Sequence, residues 1–211
     1  MPDLERQRLE ILEATLRHVP FDGWTERALE AGAEEAGVDA PTRARAFPGG
    51  MKEVFRAHMD ESDRKMVAAL EAADLEAMRI RDRVAFAVRT RLEQNARHRE
   101  AARRAAAFLM LPANAGEAAR ATWRTVDAIW YAIGDRSADF NFYSKRGLLA
   151  AVYVSTFFVW LNDDSDGFAD SWAFLDRRIG DVMKVPKLKG QAAEALACLA
   201  GPLRRFLNPT P

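Results

Sequence analysis

Three aspartates, Asp163, Asp164 and Asp166, stand close together in the stretch NDDSDGF, and carboxylates at that density are raw material for a divalent-cation site. The same residue types cap the start of a helix, and the interleaved Asn, Ser and Gly fit a capping turn better than a metal cage. His18, His58 and His98 are far apart and sit in helical patterns, where a structural or solvated role is the expectation. Cys198 is the single cysteine, so no internal disulfide and no Cys-x-x-Cys site can form, which suits a reducing compartment. No Glu-x-x-His pair, Ser-His-Asp order or glycine-rich phosphate loop can be assembled. The chain is therefore read as non-catalytic, with no metal and no cofactor.

A second chemistry is offered by VDAPTRARAF, where Thr42, Arg43 and Arg45 are placed to touch a phosphate backbone. Local charge argues against that use. Residues 1–60 carry 12 Asp/Glu against 8 Lys/Arg, a net of −4, and Glu30, Glu34 and Glu35 precede the turn. Neutralising phosphates supplies most of the affinity for a duplex, so specific DNA binding is not expected.

The elements that must position these groups are helical throughout. The chain has 211 residues, 49% of them hydrophobic, and no sustained alternation of β-branched residues. Leu9, Leu12, Leu16 and Val19 predict a helix from Leu4 to His18, stopped by Pro20. Thr25 to Ala36 reads as a second helix, Gly37 as its left-handed stop, and Asp39 as the cap of a third with Pro41 first. Longer helices are read from Met51 to Ala73, from Leu75 past Leu92, up to Pro112, around Trp123 to Ile133, from Phe140 to Leu161, and from Phe168 to Met183. The apolar run Gly147–Leu161 is 15 residues, short of the roughly 20 that a spanning helix needs, so no membrane span is expected. The N-terminus lacks the features of a secretory or transit leader.

The order of elements and the residues AGVDAPTRARAFPGGMKEVFRAHM resemble the TetR family of regulators over residues 9–60. Ala44 and Ala46 stand where such regulators usually carry a phosphate-gripping aromatic and a polar residue. A more specific likeness lies further on. Gly134-Asp135, the run Asp139-Phe140-Asn141-Phe142-Tyr143-Ser144-Lys145-Arg146, Asp163-Asp164-Ser165 and Phe168 to Leu175 resemble the coenzyme Q biosynthesis accessory proteins of the Coq-nine family. These are TetR-like lipid-binding proteins. Phe142 stands where the family commonly has Trp, which keeps the apolar bulk and loses the indole N–H donor.

The resemblance implies an all-α fold, a TetR-like helical bundle with a degenerate N-terminal helix-turn-helix and a C-terminal amphipathic helix. It implies an accessory that binds an isoprenoid lipid or ubiquinone precursor and presents it to a demethoxyubiquinone hydroxylase, with a ligand-responsive TetR-type regulator as the alternative. Asp139, Phe142, Tyr143, Lys145 and Arg146 would then form the partner patch, although aromatics at such positions also pack into cores. Trp130, Ile133, Leu149, Val152, Tyr153, Thr156, Phe157, Trp160, Trp172 and Leu175 would line the lipid pocket. Spacing alone fits an ordinary bundle core, and only the resemblance assigns the pocket.

Three regions are read along the chain: 1–50 as the helix-turn-helix-like part, 51–184 as the lipid-binding body, and 185–211 as the tail. In the tail, Leu188, Leu196, Leu199, Leu203, Phe206 and Leu207 form an apolar face flanked by Lys187, Lys189, Arg204 and Arg205. That pattern is expected to meet an anionic membrane surface, with docking on the body or a second subunit as the other use of the stripe. The expected state is a homodimer, cytoplasmic and held peripherally on the inner face of a membrane.

Overall fold

Apolar residues that recur every three to four positions share one face only when the chain coils as an α-helix. In the computed structural model, which describes residues 2–135 and 140–184, those rows become nine helices among the described residues. They are α1 (Pro2–Asp22), α2 (Glu26–Glu35), α3 (Ala40–Ala46), α4 (Met51–Glu71), α5 (Ile80–Glu93), α6 (Arg99–Leu109), α7 (Ala115–Ala132), α8 (Phe140–Leu161) and α9 (Ala169–Val182). Among the described residues there is no strand.

Two boundaries differ from the expectation. Helix α1 continues through Pro20 to Asp22. A proline in the last turn forfeits one i to i−4 bond and no more, and the chain turns at once where the Gly23 N–H donates to the Val19 carbonyl at 2.9 Å. Helix α5 begins at Ile80, because residues 72–79 form a turn in which the Leu75 and Met78 N–H groups bond backward to Ala73 and Leu75. Leu75 is an apolar anchor under that turn.

Two buried clusters fill the described chain. The first joins α1, α2 and the start of α4 through Ile11, Leu16, Leu29, Val54 and Phe55, with Ala101 and Ala105 of α6 completing it. The second gathers Met66, Leu70, Val88, Leu92, Val126, Ile129, Trp160 and Leu175 from α4, α5, α7, α8 and α9. Helix α4 runs through both. The layers are also stitched by the Trp24 indole N–H, which donates to the Ala101 carbonyl at 3.1 Å.

Backbone approach sets the crossing of α1 and α2. A Cβ at Gly32 would lie 2.4 Å from Thr15 Oγ1 and 2.6 Å from the Thr15 backbone, so the two helices meet with no side chain between them. At the other end, Arg99 Nε donates to the Leu161 carbonyl at 3.1 Å and Arg103 donates to the same oxygen. Two cations from α6 thereby satisfy the carbonyl end of α8.

Candidate functional site

Helices α2 and α3 make the expected helix-turn-helix. The Asp39 side chain accepts from the Thr42 N–H at 2.9 Å, and Gly37 takes φ +68° at the stop of α2. The groups suited to a phosphate are engaged within the protein. Arg43 pairs with Glu30 at 3.3 Å, Arg45 donates to the Thr42 hydroxyl at 2.9 Å, and Thr42 is buried.

The larger opening lies between α4, α5, α6, α7 and α8. It is a cavity of about 510 Å³ whose walls are almost wholly apolar. Small residues make the space: Ala102, Ala105 and Ala106 on α6 and Ala118, Ala121 and Thr122 on α7 face larger side chains, Phe55 and Met59 of α4 and Tyr153, Phe157 and Trp160 of α8. Alanines at helical spacing opposite aromatics leave a slot that no side chain fills. The rim is exposed and apolar, with Met110, Trp123 and Phe158 open to solvent.

A few lining residues are polar and buried. Arg91, 3% exposed, reaches Asp63 through a 2.7 Å bond from Nε, and Asp63 also accepts from the Thr125 hydroxyl at 2.9 Å. Asn95 donates to the Arg91 carbonyl at 3.0 Å. Burial opposes the charge on Arg91, but Tyr153 and Asp63 beside it hold its pKa above the ordinary value. Burial, with Arg91 nearby, lowers His58 to about 3, so this imidazole is neutral at pH 7. Burial likewise raises the Tyr153 hydroxyl.

Of the residues read from the sequence as pocket lining, Tyr153, Phe157 and Trp160 line this cavity. Leu149, Val152, Thr156, Trp172 and Leu175 are buried in the bundle beside it, where the Thr156 hydroxyl donates back to the Val152 carbonyl at 2.7 Å. Trp172 donates from its indole to the Gly167 carbonyl at 2.8 Å. Trp130 and Ile133 border a separate opening of about 250 Å³ next to Asp135 and Lys145. Sequence reasoning missed His58, Arg91, Asn95 and the alanine walls. The alanine rows of α6 and α7 were the available signal.

Three rings close into a cluster beside the cavity rim. Trp123 of α7 lies 6.4 Å from Phe142 and 6.2 Å from Tyr143 of α8, and Phe142 and Tyr143 meet edge to face at 5.1 Å. Tyr143 is 65% exposed. Arg146 does not face solvent as the patch reading had it. It is 3% exposed, its guanidinium lies 3.4 Å from the Phe142 ring centre, and its Nε donates to Asp127 at 2.6 Å. With a second approach of 3.6 Å to Asp135, Arg146 holds the patch from beneath. Lys145 bonds Asp135 at 2.8 Å and remains partly exposed. Asp139 lies outside the described residues.

The aspartate-rich turn caps helix α9. Asp163 accepts from the backbone and hydroxyl of both Ser165 and Ser171, with the two backbone bonds each at 2.8 Å. Burial opposes ionisation there, but those four donors hold the carboxyl well below the usual range. Asp163 is buried in this capping role, whereas the neighbouring Asp164 is exposed. Among the described residues no group of three or more His, Cys, Asp or Glu is placed to hold a metal. None of the described helices is long and apolar enough to cross a membrane. Leu188, Leu196, Leu199, Leu203, Phe206 and Leu207 lie outside the described residues.

The fold is shared with a TetR transcriptional regulator from Nitrosomonas europaea, at a TM-score of 0.67 and 20% identity over 82% of this chain and 95% of that one. Residues 115–186, which hold α7 to α9 and with them the aromatic cluster, match the COQ9 family. Ubiquinone biosynthesis protein COQ9, mitochondrial, from Homo sapiens is 32% identical over 188 residues, covering 86% of this chain and 59% of the human protein. The Drosophila melanogaster protein of that name is 33% identical and covers 87% of this chain and 57% of its own length. For COQ9-B of Xenopus laevis the figures are 30% identity, 90% and 67%. The chain thus spans somewhat under three fifths of the human and fly relatives, but its matched part runs from the N-terminal helices through the aromatic cluster to α9. A likeness of that extent, on a TetR-like fold and centred on the helices that carry the rim aromatics, makes this chain a member of the COQ9 family.

Proposed function

We propose that this protein is a non-catalytic accessory of ubiquinone biosynthesis that holds an isoprenoid precursor in the cavity among α4 to α8. It presents that lipid to a demethoxyubiquinone hydroxylase docked over Trp123, Phe142 and Tyr143. The observation that carries the reading is the double role of Trp123, which stands at the cavity rim and in the exposed aromatic cluster. A partner seated on that cluster is seated at the opening of the lipid slot. Apolar walls over a long slot suit a prenyl chain, and exposed aromatics suit an interface anchor. In this reading residues 185–211 rest on the membrane surface and two copies form a dimer.

Solvent extraction of the purified protein followed by mass spectrometry tests the proposal. A co-purified isoprenoid or other lipid in stoichiometric amount is expected, and its consistent absence from membrane-expressing hosts counts against it. The intact capped helix-turn-helix favours a second reading, a ligand-responsive regulator. Against it stand the net −4 of residues 1–60 and the internal engagement of Arg43 and Arg45. A genomic pull-down that recovers one palindromic site with nanomolar affinity at physiological salt would establish the regulator instead.

A further inference from the structure

An apolar slot built only for a hydrocarbon chain has no use for a buried cation at its inner end, because a charge away from water is costly unless its donors are satisfied. Here Arg91, His58, Asn95 and Tyr153 all border the cavity and are buried, whereas Met110, Trp123 and Phe158 border it and are exposed. Arg91 uses Nε on Asp63 and turns Nη2 toward the Met59 sulfur at 3.6 Å. Its remaining N–H groups, the His58 ring nitrogens and the Tyr153 hydroxyl have no hydrogen-bond partner among the described residues. A guanidinium, a neutral imidazole and a phenol therefore offer donors to whatever occupies that end.

Charge decides which class of headgroup fits. The Asp63 carboxylate already balances Arg91, and Thr125 adds a neutral donor to the same carboxylate. The cluster has no uncompensated positive charge with which to hold a buried phosphate or carboxylate. It is matched to an oxygen acceptor that carries no charge, such as a ring carbonyl, hydroxyl or ether.

We propose that the cavity binds its lipid head inward, with a neutral oxygen-bearing ring hydrogen-bonded by Arg91, His58 and Tyr153 and the chain running out toward Met110, Trp123 and Phe158. This rests on the reading of the cavity as a lipid site. It adds that in the free protein the ring is sheltered from water. It also makes Tyr153 and His58 specificity determinants rather than packing residues.

The test is competitive binding, followed by tryptophan fluorescence and confirmed by native mass spectrometry, with three probes. Decylubiquinone has a neutral oxygenated ring, squalene has no headgroup, and oleate has an anionic one. Wild-type protein is expected to bind decylubiquinone at least about tenfold more tightly than either comparator. Tyr153→Phe, which removes one oxygen and preserves the ring, and His58→Leu are each expected to cost roughly five- to tenfold for decylubiquinone and nothing for squalene. Should His58→Leu fail to fold, Tyr153→Phe alone carries the test. Equal affinity for the three probes, or a decylubiquinone affinity that the substitutions leave unchanged, overturns the head-inward site while the lipid reading stands. Binding of none of the three by the wild-type protein overturns both.

Discussion

Trp123 and Tyr143 belong to different helices, α7 and α8, yet their ring centres lie 6.2 Å apart with Tyr143 exposed. The contact joins the rim of the cavity to the surface beside it. A tyrosine so exposed contributes little to folding, so Tyr143→Ala is expected to change unfolding free energy by less than about 0.5 kcal/mol. If the proposed partner is the demethoxyubiquinone hydroxylase, affinity for it should fall tenfold or more by biolayer interferometry. A collapse in stability with binding intact would return the ring to the core.

Arg146 is predicted to behave in the opposite way. Its removal takes one of two cations from Asp135, which keeps Lys145, and releases Phe142 from its cationic support. Asp127 is about half exposed and can turn to water, which limits the loss. Arg146→Met should therefore destabilise by about 1 to 3 kcal/mol, seen as a melting temperature lower by several degrees. Under the proposed function, binding of the hydroxylase should weaken in proportion to the disordering of Phe142 rather than through a lost contact.

The behaviour of Arg146 shows where sequence reasoning reaches its limit. Helices α4, α7, α8 and α9 were legible because large apolar residues at 3.6 spacing leave no other way to bury them. The burial of Arg146 was not, since Asp127 comes from α7 and Asp135 from the turn after it. The cavity was hidden for a different reason. Helix α8 is apolar on nearly every side, so its pattern does not separate the face toward Phe157 and Trp160 from the face toward Val152. The facing walls are alanines, whose small side chains mark a void by what they do not fill.

His58 predicts an acid-sensitive fold. Its folded pKa is lowered from 6.5 to about 3, chiefly by burial, so below pH 6.5 the unfolded chain binds a proton that the native state refuses. Stability is then fully present above that value and is lost as pH falls from about 6.5 toward 3. One such group gives a slope near 1.4 kcal/mol per pH unit. His98, lowered mainly by burial against an opposing effect of Glu13, acts in the same direction. Urea unfolding of wild-type protein and His58→Leu at pH 7.5, 6.0 and 5.0 should show a shallower acid loss in the variant, whatever its stability at pH 7.5. Parallel pH profiles would contradict the assignment.

Gly32 offers a test of the N-terminal layer alone. A methyl group there meets the Thr15 backbone at 2.6 Å, and backbone cannot rotate aside. Gly32→Ala is expected to destabilise by about 1 to 3 kcal/mol by equilibrium urea unfolding, despite alanine's better helix propensity. A stabilised variant would show that α1 and α2 separate readily.

If the tail meets the membrane as proposed, Leu196→Glu with Leu199→Glu should abolish flotation with anionic liposomes, because each carboxylate would have to be desolvated on insertion. Unchanged flotation would place membrane contact on another surface. A change of oligomeric state on size-exclusion chromatography instead would identify the stripe as a docking face.

Trp24, from the turn between α1 and α2, packs its ring 5.2 Å from Phe55 and 5.8 Å from His58, and both of those residues border the cavity. The helix-turn-helix layer is thereby a bulkhead: it closes one end of a chamber whose contents it never touches. Without its first fifty residues, Phe55 and His58 would open onto water and the chamber would flood. The first layer of the molecule thus serves the second by holding it dry.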